Sequence, residues 1–181
     1  MRSWKRKTVY FCTTTILLAL FLTFSQSFAA ERNTSAQALS LKDFIKSGLS
    51  KQIGQTKEQI FAELGAPQSL TSRAIRNIHY PKSSDQIHTL TYDGLQIILY
   101  ESSVSKQQFV VSIAIENPAI NTKLGPKVGS QKDVVLAMLG TPKRMTSRQL
   151  VYYDHENGSS SVSFALADNK VREIRWDYHF E

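Results

Sequence analysis

Ile53 to Pro67 reads IGQTKEQIFAELGAP, and Val128 to Pro142 reads VGSQKDVVLAMLGTP. The two stretches lie 75 positions apart with no gap. The register holds onward to Thr71-Ser72-Arg73 against Thr146-Ser147-Arg148, and upstream Ile45 and Leu49 fall on Ile120 and Leu124. Nine of the 21 positions from Ile53 to Arg73 are identical, where chance gives roughly one or two, and a fixed offset of this kind marks a duplicated structural unit.

The motif has a physical reading. Thr56 can cap a helix, with Gln59 three residues on completing a capping box. In the second copy the frame slips by one, and Ser130 with Asp133 is expected to do the same. Ile60, Phe61 and Leu64 in one copy, and Val134, Val135, Met138 and Leu139 in the other, give a two-turn apolar face. Gly65 and Gly140 can take the left-handed conformation that stops a helix, and Pro67 and Pro142 prevent its resumption. Leu-Gly-x-Pro therefore predicts helix, stop and strand entry. Gly54, Leu64, Gly65 and Pro67, with Gly129, Leu139, Gly140 and Pro142, are read as structural.

Around the motifs, Leu41, Phe44, Ile45 and Leu49 recur at helical spacing and predict a short helix over 40–48, ended by Gly48. Three strand runs follow the first motif, Ile87–Tyr92, Leu95–Tyr100 and Phe109–Ile115, with Asp93-Gly94 as a tight turn. Three follow the second, Leu150–Tyr153, Ser160–Leu166 and Val171–Phe180, with turns at Asn157-Gly158 and Asp168-Asn169. The first copy has an extra piece, Ile75 to Gln86, expected to be an edge strand followed by a loop. Alternation puts Phe109, Val111, Ile113 and Ile115 on one face, likewise Val162, Phe164 and Leu166, and Ile174, Trp176, Tyr178 and Phe180. Those faces should pack under the helices. The fold class is α+β: two tandem repeats, over 40–115 and 116–181, each two short helices on an antiparallel meander.

The first thirty residues differ from the rest. Arg2, Lys5, Arg6 and Lys7 precede an apolar run from Val9 to Phe24, and small residues stand at Ser27 and Ala29. This is the pattern of a secretory signal peptide over 1–29, with a polar lead-in over 30–39. The expected location is periplasmic or extracellular, with no integral membrane segment left after cleavage. The chain has 22 Lys and Arg against 15 Asp and Glu. Loss of the four leader cations leaves 18 against 15, a net of +3. That balance, without a basic cluster, argues against a nucleic-acid partner. The single cysteine, Cys12, lies inside the leader, which excludes disulfides and thiol chemistry from the exported part. Asn33 and Asn157 head Asn-x-Ser/Thr sequons, relevant only in a host that glycosylates its exported proteins.

Helix–loop–helix followed by antiparallel strands, twice in an exported chain, resembles the β-lactamase inhibitor protein (BLIP-like) fold. The spacing from Gly54 to Pro67 and from Gly129 to Pro142 is also similar to the signature of the small outer-membrane assembly lipoproteins of the SmpA/OmlA (BamE) type. Those lipoproteins carry an anchoring cysteine and the lactamase inhibitors carry disulfides; the exported part of this chain has neither. The resemblance implies the fold, and a module whose free sheet face or loops touch another protein.

Catalytic signals are thin. His79, His88, His155 and His179 show no metal-ligand spacing, and there is no phosphate loop, nucleophile elbow or cofactor motif. Asp154 and His155 beside Ser159, Ser160 and Ser161 allow a hydrolase reading, though Asn157-Gly158 makes the stretch a hairpin tip. The expectation is a protein with no catalytic residues, metal or cofactor. Alternation points Thr89, Thr91, Ile98, Tyr100, Val151, Tyr153, Arg175, Asp177 and His179 away from the helices. Tyr and Arg are favoured anchors at interfaces, and these nine form the candidate surface for an exported or envelope protein. The alternative within the binding class is a stoichiometric inhibitor of an exported enzyme such as a β-lactamase.

Overall fold

A computed structural model describes residues 40–179, apart from 121, 123–124 and 156–159. The expected leader and lead-in, the Asn157-Gly158 turn, Ser159 and Phe180 lie outside the described residues. Three short helices come first: α1 (Leu41–Ser47), α2 (Ser50–Ile53) and α3 (Lys57–Leu64). Four strands follow: β1 (Ser69–Arg76), β2 (Ser84–Tyr92), β3 (Leu95–Glu101) and β4 (Gln108–Ile115). Then come α4 (Lys132–Leu139), β5 (Arg144–Met145), β6 (Gln149–Tyr153), β7 (Ser161–Ala167) and β8 (Lys170–Asp177). The chain is α+β with a single eight-stranded antiparallel sheet, ordered β1-β2-β3-β4-β8-β7-β6-β5. Among the described residues no helix is long and apolar enough to cross a membrane.

The two motif copies fall on α3 and α4. Both helices end where the sequence requires. Gly65 and Gly140 each have φ of 76° and bond back to Phe61 O and Leu136 O. A Cβ at either would meet nothing, so the backbone angle alone favours glycine there. Gly54 and Gly129, ahead of the helices, also have positive φ, 91° and 89°. Leu64 packs against the core and Leu139 lies within it; Pro67 is half-buried and Pro142 buried. After each stop a strand tyrosine donates to the glycine carbonyl: Tyr92 Oη to Gly65 O at 3.1 Å and Tyr152 Oη to Gly140 O at 3.0 Å.

The helix starts differ from expectation in the second copy. Thr56 caps α3 by accepting the Gln59 amide, and Gln59 Oε1 accepts the Gln55 amide at 2.8 Å. At α4 the N-cap is Gln131, with no side-chain cap bond. Ser130 does not cap it, because its Oγ accepts the Lys127 amide instead. The β7–β8 turn supplies the missing acceptor: Lys132 N–H donates to Asn169 O at 2.8 Å. A backbone neighbour thus satisfies an orphan helix donor that the sequence assigned to a side chain.

The second meander has one more strand than expected, β5, and the edge strand expected in the first lies earlier in the chain. β1 is an edge strand, but at Ser69–Arg76 and exposed almost throughout; the expected piece at 75–86 is its end, a turn and the start of β2. β5 is only two residues long. Neither carries the apolar alternation that reveals a half-buried strand. The expected helix pair is absent ahead of α4: among the described residues no helix lies between β4 and α4, where Pro118 and Pro126 punctuate the chain.

All four described helices cover one face of the sheet. Ile45, Ile53, Ile60, Val135 and Leu139 from the helices, with Leu49 between α1 and α2, meet Leu90, Ile97, Leu99, Ile113, Leu150, Phe164 and Ile174 in one continuous core. The join is β4 against β8, with Ile113 opposite Trp176 and Ile115 opposite Ile174. α1 reaches across the seam. Phe44 lies 5.5 Å from the Trp176 ring and 6.3 Å from the Phe164 ring, and the Trp176 indole donates to Phe44 O at 3.3 Å.

One face assignment is corrected. A bulge interrupts β3–β4 pairing: Ile98 faces Ser112 but Leu99 faces Val110, leaving Val111 extra. An extra residue flips every side chain beyond it. Val110 therefore enters the core with Ile113 and Ile115, while Phe109 pairs with Tyr100 and, with Val111, lies outside it.

Candidate functional site

Register places the nine candidate residues on one face, opposite the helices. Thr89 faces Ile98, Tyr100 faces Phe109, Asp177 faces Ser112 and Ser161, Arg175 faces Ala114 and Ser163, and Tyr153 faces Ser161. Thr91 extends the row on β2, and His179 follows β8. They do not converge; they are spread from β2 to β6 as a platform. Most are half-buried, His179 is exposed, and Val151 is buried and so the least available for contact. Asp177 accepts the Ser112 hydroxyl at 2.8 Å, and Arg175 Nε donates to Glu173 Oε1 at 3.0 Å.

At one end of this platform the sheet opens into a cavity of about 830 Å³. Its walls come from the β1–β2 turn, the β3–β4 loop and the segment after β8. Tyr80, Tyr100 and Phe109 are among its lining residues, and Tyr178 also lines it while packing against the core with its hydroxyl toward Gly48. The Tyr100 and Phe109 centroids lie 6.5 Å apart with planes 21° from parallel. Burial pushes the Tyr178 phenol up to about 12.

Asp85 fixes the walls. Buried at the start of β2, it accepts from Tyr100 Oη at 2.5 Å, from Ser103 N and Oγ at 2.8 Å each, and from Asn77 Nδ2 at 3.1 Å. These bonds, Tyr100 first, hold its carboxyl far below the usual range, because a carboxylate accepting several hydrogen bonds is favoured in its charged form. Asn77 passes the constraint on, its Oδ1 accepting the amides of His79 and Tyr80 at 2.9 and 2.8 Å.

A second polar cluster lies on the helix side. Ser72 Oγ and His88 Nδ1 are 2.7 Å apart, and His88 Nε2 and Glu101 Oε2 are 3.0 Å apart. The same Glu101 oxygen meets Lys57 Nζ at 3.1 Å and accepts from Gln108 Nε2 at 3.0 Å. Burial pushes Glu101 up, but the bonds and charges of Lys57 and His88 outweigh it and leave it below its ordinary value. Glu101 is thus a hub shared by three donors rather than a dedicated partner of His88. The cluster ties α3 to β1, β2, β3 and β4, with Lys57 N donating to Gln108 Oε1 at 2.9 Å.

Of the residues in the hydrolase reading, Ser159 lies outside the described residues. Asp154 and His155 lie 3.7 Å apart with His155 exposed, and Ser160 Oγ accepts the His179 amide. Among the described residues no three His, Cys, Asp or Glu side chains come together to hold a metal ion. Sequence reasoning missed the cavity and both polar clusters. The only cue was the density of aromatic residues around Tyr80, Tyr100 and Phe109. No family model, curated protein or solved structure matches this chain.

Proposed function

We propose that this chain is an exported, non-enzymatic module of the cell envelope or its surroundings that holds a partner protein on the open face of its sheet. The observation that carries this is one-sided architecture: all four described helices cover one face, and Tyr100, Tyr153 and Arg175 stand half-buried on the other. A rigid antiparallel sheet with one face uncovered offers a broad docking surface, and tyrosine and arginine give it anchors. The proposal includes duplication, two copies of one BLIP-like or SmpA/OmlA-like unit. The 75-residue repeat supports it, as do the identical glycine stops of α3 and α4 and the tyrosine that closes each.

The test is a crosslinking pull-down of the exported chain from living cells, with Tyr153→Ala/Arg175→Ala as control. One reproducible partner lost in the double variant supports the reading. A partner that is an enzyme slowed at a 1:1 ratio narrows it to inhibition. A chain that captures nothing, or whose capture ignores both substitutions, sinks it.

A further inference from the structure

We propose that the aromatic cavity is a binding site for an uncharged carbohydrate, lying at one end of the protein-docking platform and sharing Tyr100 and His179 with it. Its size, about 830 Å³, falls within the range of small-molecule sites.

The chemistry of the lining selects the ligand class. Tyr100 and Phe109 stand opposite each other on neighbouring strands with nearly parallel rings, so they present one continuous aromatic surface. Tyr80, 57% exposed, stands at the mouth. A pyranose ring has an apolar C–H face that packs on such a surface, while the hydroxyls around its edge need hydrogen-bonding partners. His79, Gln107 and His179 line the same space and offer hydrogen-bonding groups.

Charge narrows the choice. Among the described lining residues there is no Asp, Glu, Lys or Arg. A phosphate or carboxylate ligand would call for Arg or Lys. An ammonium ligand could use the rings, but Asp85, the carboxylate bonded to Tyr100, has its oxygens taken by Tyr100, Ser103 and Asn77. A neutral polyol faces neither mismatch.

The cavity is also built in advance. Asp85 joins Tyr100 to the β3–β4 loop through Ser103 and to the β1–β2 turn through Asn77, which in turn fixes the backbone of His79 and Tyr80. Walls held in place before binding lower the ordering cost of a weakly interacting ligand.

Affinity electrophoresis tests this. The exported chain is run through gels containing soluble starch, hydroxyethylcellulose, laminarin, galactomannan or glycol chitin, with dextran sulfate, polygalacturonate and added choline chloride as charged comparators. At least one neutral glycan should retard the protein. Tyr80→Ala and Phe109→Ala should each weaken that retardation by roughly tenfold, the loss expected for one stacking contact. Tyr153→Ala/Arg175→Ala should leave it unchanged, because neither residue lines the cavity, which separates this site from the remainder of the platform. Tyr80 is outside the core, so its variant keeps the wild-type melting curve and isolates the binding effect. Retardation by none of the neutral glycans, by the charged polymers alone, reversal by choline, or retardation indifferent to Tyr80→Ala overturns the proposal.

Discussion

The N-terminal and C-terminal halves of the sheet carry the same motif and use different means to hold it. In the first half, side chains anchor the start of the motif helix. Thr56 caps α3, Gln108 takes the Lys57 amide, and Gln55 Oε1 accepts the Val110 amide at 3.2 Å. In the second, backbone serves: Gly129 N–H donates to Val171 O at 2.7 Å and Lys132 N–H to Asn169 O. The first half contains the two polar clusters, Asp85 and Glu101 with their partners. The second half sets Tyr152, Phe164 and Trp176 into an otherwise aliphatic interior, Tyr152 edge-on to Phe164 and Trp176 beside Phe44. Among the described residues it has no leading helix of its own, and α1 from the first half covers it. The lesson is that a repeated sequence guarantees the repeated element and leaves its anchoring to local chance.

The largest expected effect breaks the comparison at the seam. Trp176→Ala should cost about 3–5 kcal/mol, as for other buried aromatic truncations. It removes the side chain that both faces Ile113 across the join and carries α1. Hydrogen exchange should show protection falling in both halves together. Protection kept in β1–β3 would mean that the halves are separate folding units.

Acid should separate the halves next. Asp85 and Glu101 both have depressed pKa values, so the stability they contribute is present above their unfolded values. It is lost as pH falls toward the folded ones. For Asp85 the loss begins near the ordinary value of 3.8. Acid titration followed by exchange should loosen the Asn77–Ser83 turn and the Ser102–Gln107 loop before α4 and β6. Asp85→Asn should flatten that acid dependence. Acid loosening that begins around α4 would count against the assignment.

The tyrosine closures sharpen the comparison at smaller scale. Tyr152 is 1% exposed and Tyr92 half-buried. Tyr152→Phe leaves the Gly140 carbonyl short of a partner in a drier setting and should cost about 1–2 kcal/mol; Tyr92→Phe should cost about 0.5–1 kcal/mol. Equal denaturation midpoints would show that burial does not govern these bonds. The smallest effect concerns the caps. Thr56→Ala should cost about 1 kcal/mol, and Gln131→Ala close to nothing, since Gln131 makes no cap bond. A chemical melt of each variant decides it.

Much of this was legible along the chain because it rests on short-range rules. Helix, stop and strand entry follow from Leu-Gly-x-Pro, and the β2–β3 and β7–β8 turns follow from Asp93-Gly94 and from Asp168-Asn169, both at positive φ. The alternation of β7 and β8 identified their buried faces. The candidate surface was legible wherever strands ran without interruption, as for Tyr100, Tyr153 and Arg175. It failed at Phe109 and Val111, because one bulged residue reverses a period-two pattern and leaves no mark in the sequence.

The sequence by itself determined the repeated motif, the α+β class, the Thr56 cap of α3 and the glycine stops of α3 and α4, because caps, glycine stops and apolar periods act over a few neighbours. Tertiary structure alone decided the rest. It set β4 against β8, laid α1 over the second half, and gathered Tyr80, Tyr100, Phe109 and Tyr178 around one cavity. It also brought Asp85 and Glu101 to donors far along the chain. Those choices depend on register and on which buried polar groups find partners, and both are settled only when distant segments meet.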